Sequence, residues 1–167
     1  MKLVKLAIIV MIGAVAAVSP VAASNTSCQT NAMGDQNCIT AVKSKSGYSV
    51  KVRELCWHFG GRYLATGDGQ EIMVWDCQGK GPAGTSPRIL SAHSHRITRL
   101  AYQRAGHLLA SGDESGDILL WNAGKGGDPI RRFRVEKAVS SLAWSPEGRR
   151  LAVGCEDGSV AVAAVES

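Results

Sequence analysis

Three stretches of this chain superpose on one another, and their spacing constrains the fold more than any other feature. They run from Val52 to Asp76, from Ile97 to Asn122 and from Val139 to Ala164. Their leading residues Val52, Ile97 and Val139 lie 45 and 42 residues apart, and Leu64, Leu109 and Leu151 repeat the same two intervals. A fixed period of this length marks a structural unit used three times. One such unit cannot bury its apolar surface alone, so it stacks on the next.

Each unit reads as short strands. Val52 to Trp57 alternates core and solvent positions, as a half-buried strand does. A glycine turn follows at Gly60-Gly61, Gly106 or Gly148, then a short apolar strand such as Leu109 to Gly112. A second tight turn leads into a third strand that closes on Trp75-Asp76 or Trp121-Asn122. Arg88 to Leu90 and Ile130 to Phe133 supply a fourth strand between units. Regular short strands with glycine-rich turns predict an all-β chain, with Leu55, Leu64, Leu100, Leu109, Leu142 and Leu151 as its core.

These residues resemble WD40 repeats. Trp75-Asp76 at a strand end, the period in the low forties, and the string Leu-Ala-Trp-Ser-Pro-Glu-Gly-Arg-Arg-Leu-Ala at 142–152 carry the resemblance. It covers roughly residues 48–166 and implies a partial β-propeller of about three four-stranded antiparallel blades, at 48–92, 93–135 and 136–167. It also implies a hydrogen-bonded group of His, Ser or Thr, Asp and Trp that tethers each blade. In the second repeat His93, Ser111 and Trp121 match that group, while Ser115 stands where the Asp is expected. Thr66 and Trp75 match in the first repeat and Asp157 in the third, so no repeat is complete. The expectation is a divergent propeller held mainly by apolar packing.

The chain opens differently. Lys2 and Lys5 precede an apolar run from Leu6 to Val18 broken only by Gly13, and Val21-Ala22-Ala23 follows Pro20. This predicts a helical signal peptide over residues 1–23, whose apolar run is shorter than the roughly 20 residues that span a bilayer. The chain is then periplasmic or secreted and meets a membrane only through that signal; the WD40 resemblance by itself implies the cytosol. Residues 24–47 read as a polar linker with an outer strand at 39–43. In an oxidising compartment Cys28 and Cys38 are a candidate disulfide. Cys56, Cys77 and Cys155 sit in or beside strands, where a free Cys acts as a small hydrophobe.

Chemistry is sparse. The sequence has no Gly-x-Ser-x-Gly elbow, phosphate loop, His-Glu-x-x-His or Cys-x-x-Cys, so neither an enzyme nor a cofactor is expected. His93 and His95 offer two imidazoles without a third metal ligand. Asp113, Glu114 and Asp117 crowd one turn without calcium-loop spacing, which reads as a solvated hairpin. The net charge of +5 includes Lys2 and Lys5 of the signal, so it gives no ground for a nucleic-acid partner. Lys80, in the long glycine-rich loop, and Arg131, Arg132 and Arg134, on an outer strand, are the candidate partner contacts.

The resemblance implies a protein–protein interaction or scaffolding module with a protein or peptide partner. An incomplete propeller without independent function is the alternative, and a propeller-based enzyme or metal-binding protein is the least supported. Closed propellers have about 4–8 blades. Three blades therefore imply either missing blades or a homodimer that completes a six-bladed ring.

Overall fold

The computed structural model describes residues 52–79, 86–104 and 106–165 and, upstream, the backbone of three strands. The chain divides into two compact units, Met1–Lys51 and Val52–Ser167. The first unit holds β1 (Met11–Ile12), β2 (Asn25–Thr30) and β3 (Gln36–Lys43), in the order β1-β3-β2. β2 and β3 pair antiparallel with Cys28 opposite Cys38, and β1 runs parallel to the end of β3. The outer strand expected at 39–43 falls within β3, whose partners are β2 and β1. The signal expected over 1–23 lies outside the described residues except at Met11–Ile12, which are extended rather than helical. The side chains of Cys28 and Cys38 lie outside them too.

The second unit is three sheets. β4 (Glu54–Trp57), β5 (Tyr63–Asp68), β6 (Glu71–Asp76) and β7 (Arg88–Ser91) form the first in that order. β8 (Ile97–Tyr102), β9 (Leu108–Asp113), β10 (Asp117–Asn122) and β11 (Arg131–Arg134) form the second. β12 (Val139–Trp144), β13 (Arg150–Cys155) and β14 (Val160–Ala164) form the third. Neighbouring strands in all three are antiparallel. The third sheet has three strands among the described residues, without the fourth strand that the first two sheets have. β7 and β11 reach their sheets from the segments that lead into the second and third units, and no described strand follows β14.

Turn chemistry sets the strand lengths. Gly116, between β9 and β10, has φ 89°, and a Cβ there would lie 2.2 Å from the Val135 carbonyl oxygen. Only glycine fits that conformation and that approach. In return the Val135 N–H donates to Gly116 O at 2.9 Å, which pins the exit of β11 to the turn.

The core lies between sheets. Ile118, Leu119, Leu120 and Trp121 of β10 are all essentially inaccessible, because the pleat sends alternate residues to opposite faces and both faces are covered. Leu119 and Trp121 join Leu100, Leu109 and Ile97 against Ala65, Ile72, Val74 and Leu90 of the first sheet. Ile118, Leu120 and Ala110 meet Val139, Leu151 and Val153 of the third. Each fully buried side chain of this size contributes about 1.5–3 kcal/mol relative to exposure. Polar contacts cross the same seams: Arg99 pairs with Glu54 at 2.9 Å, and Trp144 Nε1 donates to Ala101 O at 3.0 Å.

Four of the six leucines expected in the core are buried, and Leu142 is half-buried against the second core cluster. Leu55 is 62% exposed, contrary to expectation. Its counterparts Leu100 and Leu142 pack on the preceding sheet, whereas Leu55 belongs to the first sheet of this unit. Cys56 and Cys77 are half-buried and Cys155 is buried. Burial pushes the Cys56 thiol up to about 12, so it packs as a hydrophobe rather than reacting as a thiolate.

Candidate functional site

The turn end that holds the β9–β10 hairpin carries a closed polar network. His93, between β7 and β8, is buried. Its Nδ1 lies 2.8 Å from Asp113 Oδ2 and its Nε2 lies 2.7 Å from Ser111 Oγ. Trp121 Nε1 donates to the same Ser111 Oγ at 2.8 Å. Asp113 Oδ1 accepts from Ser115 N, Ser115 Oγ and Asp117 N at 2.8–3.0 Å. With Nδ1–H donated to the carboxylate, neutral His93 accepts the Ser111 hydroxyl through Nε2, and every group finds a partner.

Burial holds His93 below its ordinary imidazole range, a penalty that the Asp113 contact only partly offsets. Burial would raise Asp113, but the donors His93, Ser115 and Asp117 N together hold it below the usual carboxylate range. The order Ser–His–Asp is that of a nucleophile relay. Here Ser111 is fully buried, and its oxygen is already occupied by the indole and the imidazole. Its hydroxyl is therefore closed to solvent and engaged within the network.

Asp113 is the residue that motif matching passed over. The hairpin at Asp113, Glu114 and Asp117 is not a solvated acidic cluster. Asp113 turns inward, Glu114 pairs with Arg96, and Asp117 pairs with Arg134 at 2.9 Å. Ser115 holds the position expected of the acid and instead donates to Asp113. The signal was available: an Asp two residues beyond the strand Ser, followed by a residue and a turn N–H that can bind its other oxygen. Both ring nitrogens of His93 are committed, so His93 and His95 do not form a metal pair.

The other two units carry only parts of the group. Thr66 Oγ1 donates to Met73 O at 3.4 Å, and buried Trp75 Nε1 has no partner among the described residues. Asp157 is exposed and accepts from Ser159 N and Oγ within its own turn, while Val153 and Ala163 hold the strand positions.

The opposite turn end is open and mixed in character. His58 stacks on His107 with centroids 5.5 Å apart, and its edge contacts reach Tyr63 and Tyr102. His58 Nδ1 accepts from Gly60 N, which leaves its Nε2 facing His107 Nδ1 at 3.3 Å. Exposed Phe59 lies under Arg104, and Arg62 covers Tyr63 while bound to Asp76. The same β8–β9 turn walls a cleft of about 430 Å³ floored by Leu108, Leu120 and Val165 and rimmed by Gln103, Glu147 and Arg131. Exposed Ile130 stands at its edge.

The candidate arginine contacts divide. Arg131 reaches the cleft, Arg134 is tied to Asp117, and Arg132 donates to Ala92 O at 3.4 Å. Strand alternation separates them. Lys80 lies outside the described residues. The histidine–aromatic patch and the cleft were not legible in the sequence, because their parts come from turns about 45 residues apart.

Known proteins show the same units. The profile described as WD domain, G-beta repeat matches residues 36–76 and 84–122, and that of the anaphase-promoting complex subunit 4 WD40 domain matches 130–167. Human Coronin-7 is 32% identical over 117 residues, which cover 66% of this chain and 13% of that protein. The WD40 domain of Toxoplasma gondii coronin superposes with a TM-score of 0.63 at 19% identity, over 76% of this chain and 33% of that one. A chain of the mitotic checkpoint complex gives 0.63 at 24% identity, over 84% and 41%. The chain thus spans about an eighth of the length of Coronin-7 and of the Caenorhabditis elegans periodic tryptophan protein 2 homolog.

Two outcomes follow from the network. Trp121→Phe and Trp75→Phe remove similar volume, but only the first removes a hydrogen bond. In urea denaturation Trp121→Phe should cost about 1 kcal/mol more; equal losses would contradict the geometry. The second concerns pH. A His held low in the folded state stabilises fully above its ordinary value of 6.5 and loses that contribution as pH falls toward the folded value. Between pH 7 and 5 stability should therefore drop by at most about 1.4 kcal/mol per unit for this proton. His93→Gln should lower overall stability yet flatten that slope.

Proposed function

The chain belongs to the WD40-repeat family, and on that premise we propose that it is a non-catalytic protein-interaction module that takes its partner at the open turn end. The cleft carries this reading. It joins an apolar floor to an exposed Ile130 anchor and to Arg131, which has no ion-pair partner among the described residues, whereas at the other turn end of the middle sheet His93, Ser111 and Asp113 are bound to one another. Pockets of this size with an apolar lining and a few fixed polar groups suit a peptide side chain. The matching ligand is an extended segment with an apolar residue beside an acidic one, the carboxylate meeting Arg131. An array of this shape occurring within the mitotic checkpoint complex supports a role exercised through contact.

We read the compartment from the first 23 residues: export would set this contact in the periplasm or outside the cell. Such a compartment would also oxidise Cys28 and Cys38. Residues directly opposite in an antiparallel pair have Cα atoms about 4.5–5.5 Å apart, inside the disulfide range.

A photo-crosslinking residue at position 130 tests the docking surface. It should yield an adduct with a protein other than this chain in the native compartment, and Arg131→Glu should remove that adduct. The same probe at position 157, on the opposite turn end, should yield none. Equal capture at both positions, or capture at 130 that ignores Arg131→Glu, would defeat the assignment.

A further inference from the structure

Both outward faces of the sheet array are apolar, and each is one half of a contact that the chain already makes internally. Leu100 and Tyr102 of β8 pack against the first sheet; Leu142 and Trp144 of β12 pack against the second. Their counterparts in β4 are Leu55 and Trp57, which are 62% and 51% exposed. On the receiving side, Ile118 and Leu120 of β10 are fully buried beneath the third sheet. Their counterparts in β14, Val160 and Val162, are 73% and 63% exposed. The internal contact has a polar signature as well, Trp144 Nε1 donating to Ala101 O.

We propose that Leu55 and Trp57 of a second copy of this chain dock on the face bearing Val160 and Val162, and reciprocally, so that two copies close a six-bladed ring. Continuity with the internal seams names the occupant. What covers such a β10 face in this chain is the first strand of another unit, bearing a Leu and an aromatic two residues on. A second copy presents that same strand as β4. Trp57 of the second copy then takes the Ala143 carbonyl, the equivalent of Ala101.

Closure sets the number of copies. Head-to-tail contacts give rings only where the rotation closes. Two copies supply six sheets, within the 4–8 of closed propellers, whereas three would supply nine. This surface is separate from the partner cleft, so either reading can fail without the other.

Light scattering on the purified chain at micromolar concentration should give twice the chain mass. The double variant Val160→Lys with Val162→Lys, and separately Trp57→Lys, should each weaken the dimer about 100-fold or more, since each would bury an unpaired ammonium. All three positions are exposed in a single copy, so far-UV circular dichroism should be unchanged. Mixing the two variants restores one of the two seams and leaves both damaged faces at the other, so the mixture should associate more tightly than either variant alone and more weakly than the wild type. A monomeric wild type would overturn the proposal. A dimer that withstands both variants would overturn it too.

Discussion

Ile118 to Trp121 are buried from both sides, Leu119 and Trp121 by the first sheet and Ile118 and Leu120 by the third. That double burial is the constraint on which the molecule depends. A sheet apolar on both faces cannot be satisfied by one partner, so each unit needs a neighbour before it and after it. The middle sheet has both. Within the Val52–Ser167 unit the outer two have one each, and there Leu55, Trp57, Val160 and Val162 are exposed although their equivalents pack into the core clusters.

Burying the middle sheet also buries polar atoms, and the His93 network answers them. Ser111, Asp113 and His93 lie in a setting where an unpaired polar group costs about 1–3 kcal/mol. They are tolerated because the network is complete: imidazole to carboxylate, hydroxyl to imidazole, indole to hydroxyl, and three donors on the second carboxylate oxygen. A partly satisfied version is more costly than an apolar one. The third unit illustrates the apolar solution, with Val153 and Ala163 in place of Ser and Trp. The first unit is the intermediate case, in which Trp75 Nε1 is buried without a described partner.

The repeat was legible in the sequence because period and register are written in apolar spacing, and the equivalence of β6, β10 and β14 followed from it. The role of Asp113 was not. A motif places the acid by position, but a carboxylate two residues earlier reaches the same imidazole once the turn curls over Gly116. Leu55 misled for a different reason: apolar character marks a residue that can be covered, and only the stacking order says whether it is. The cleft needed the fold itself, since residues near 105, 130 and 148 meet only after the second and third sheets stack.

The two turn ends divide labour. On the proposed reading, the end with the His93 network is held by internal hydrogen bonds, and the other offers exposed Phe59, Ile130 and Arg131 for contact. Rigidity of the middle sheet is the premise of that division, and native-state hydrogen exchange reads it directly. The backbone amides of β9 and β10 and the Trp121 indole N–H should exchange slowest in the chain, and only through global unfolding. Exchange of the Trp121 indole by local opening, as fast as or faster than that of the β5 and β6 amides, would contradict the account.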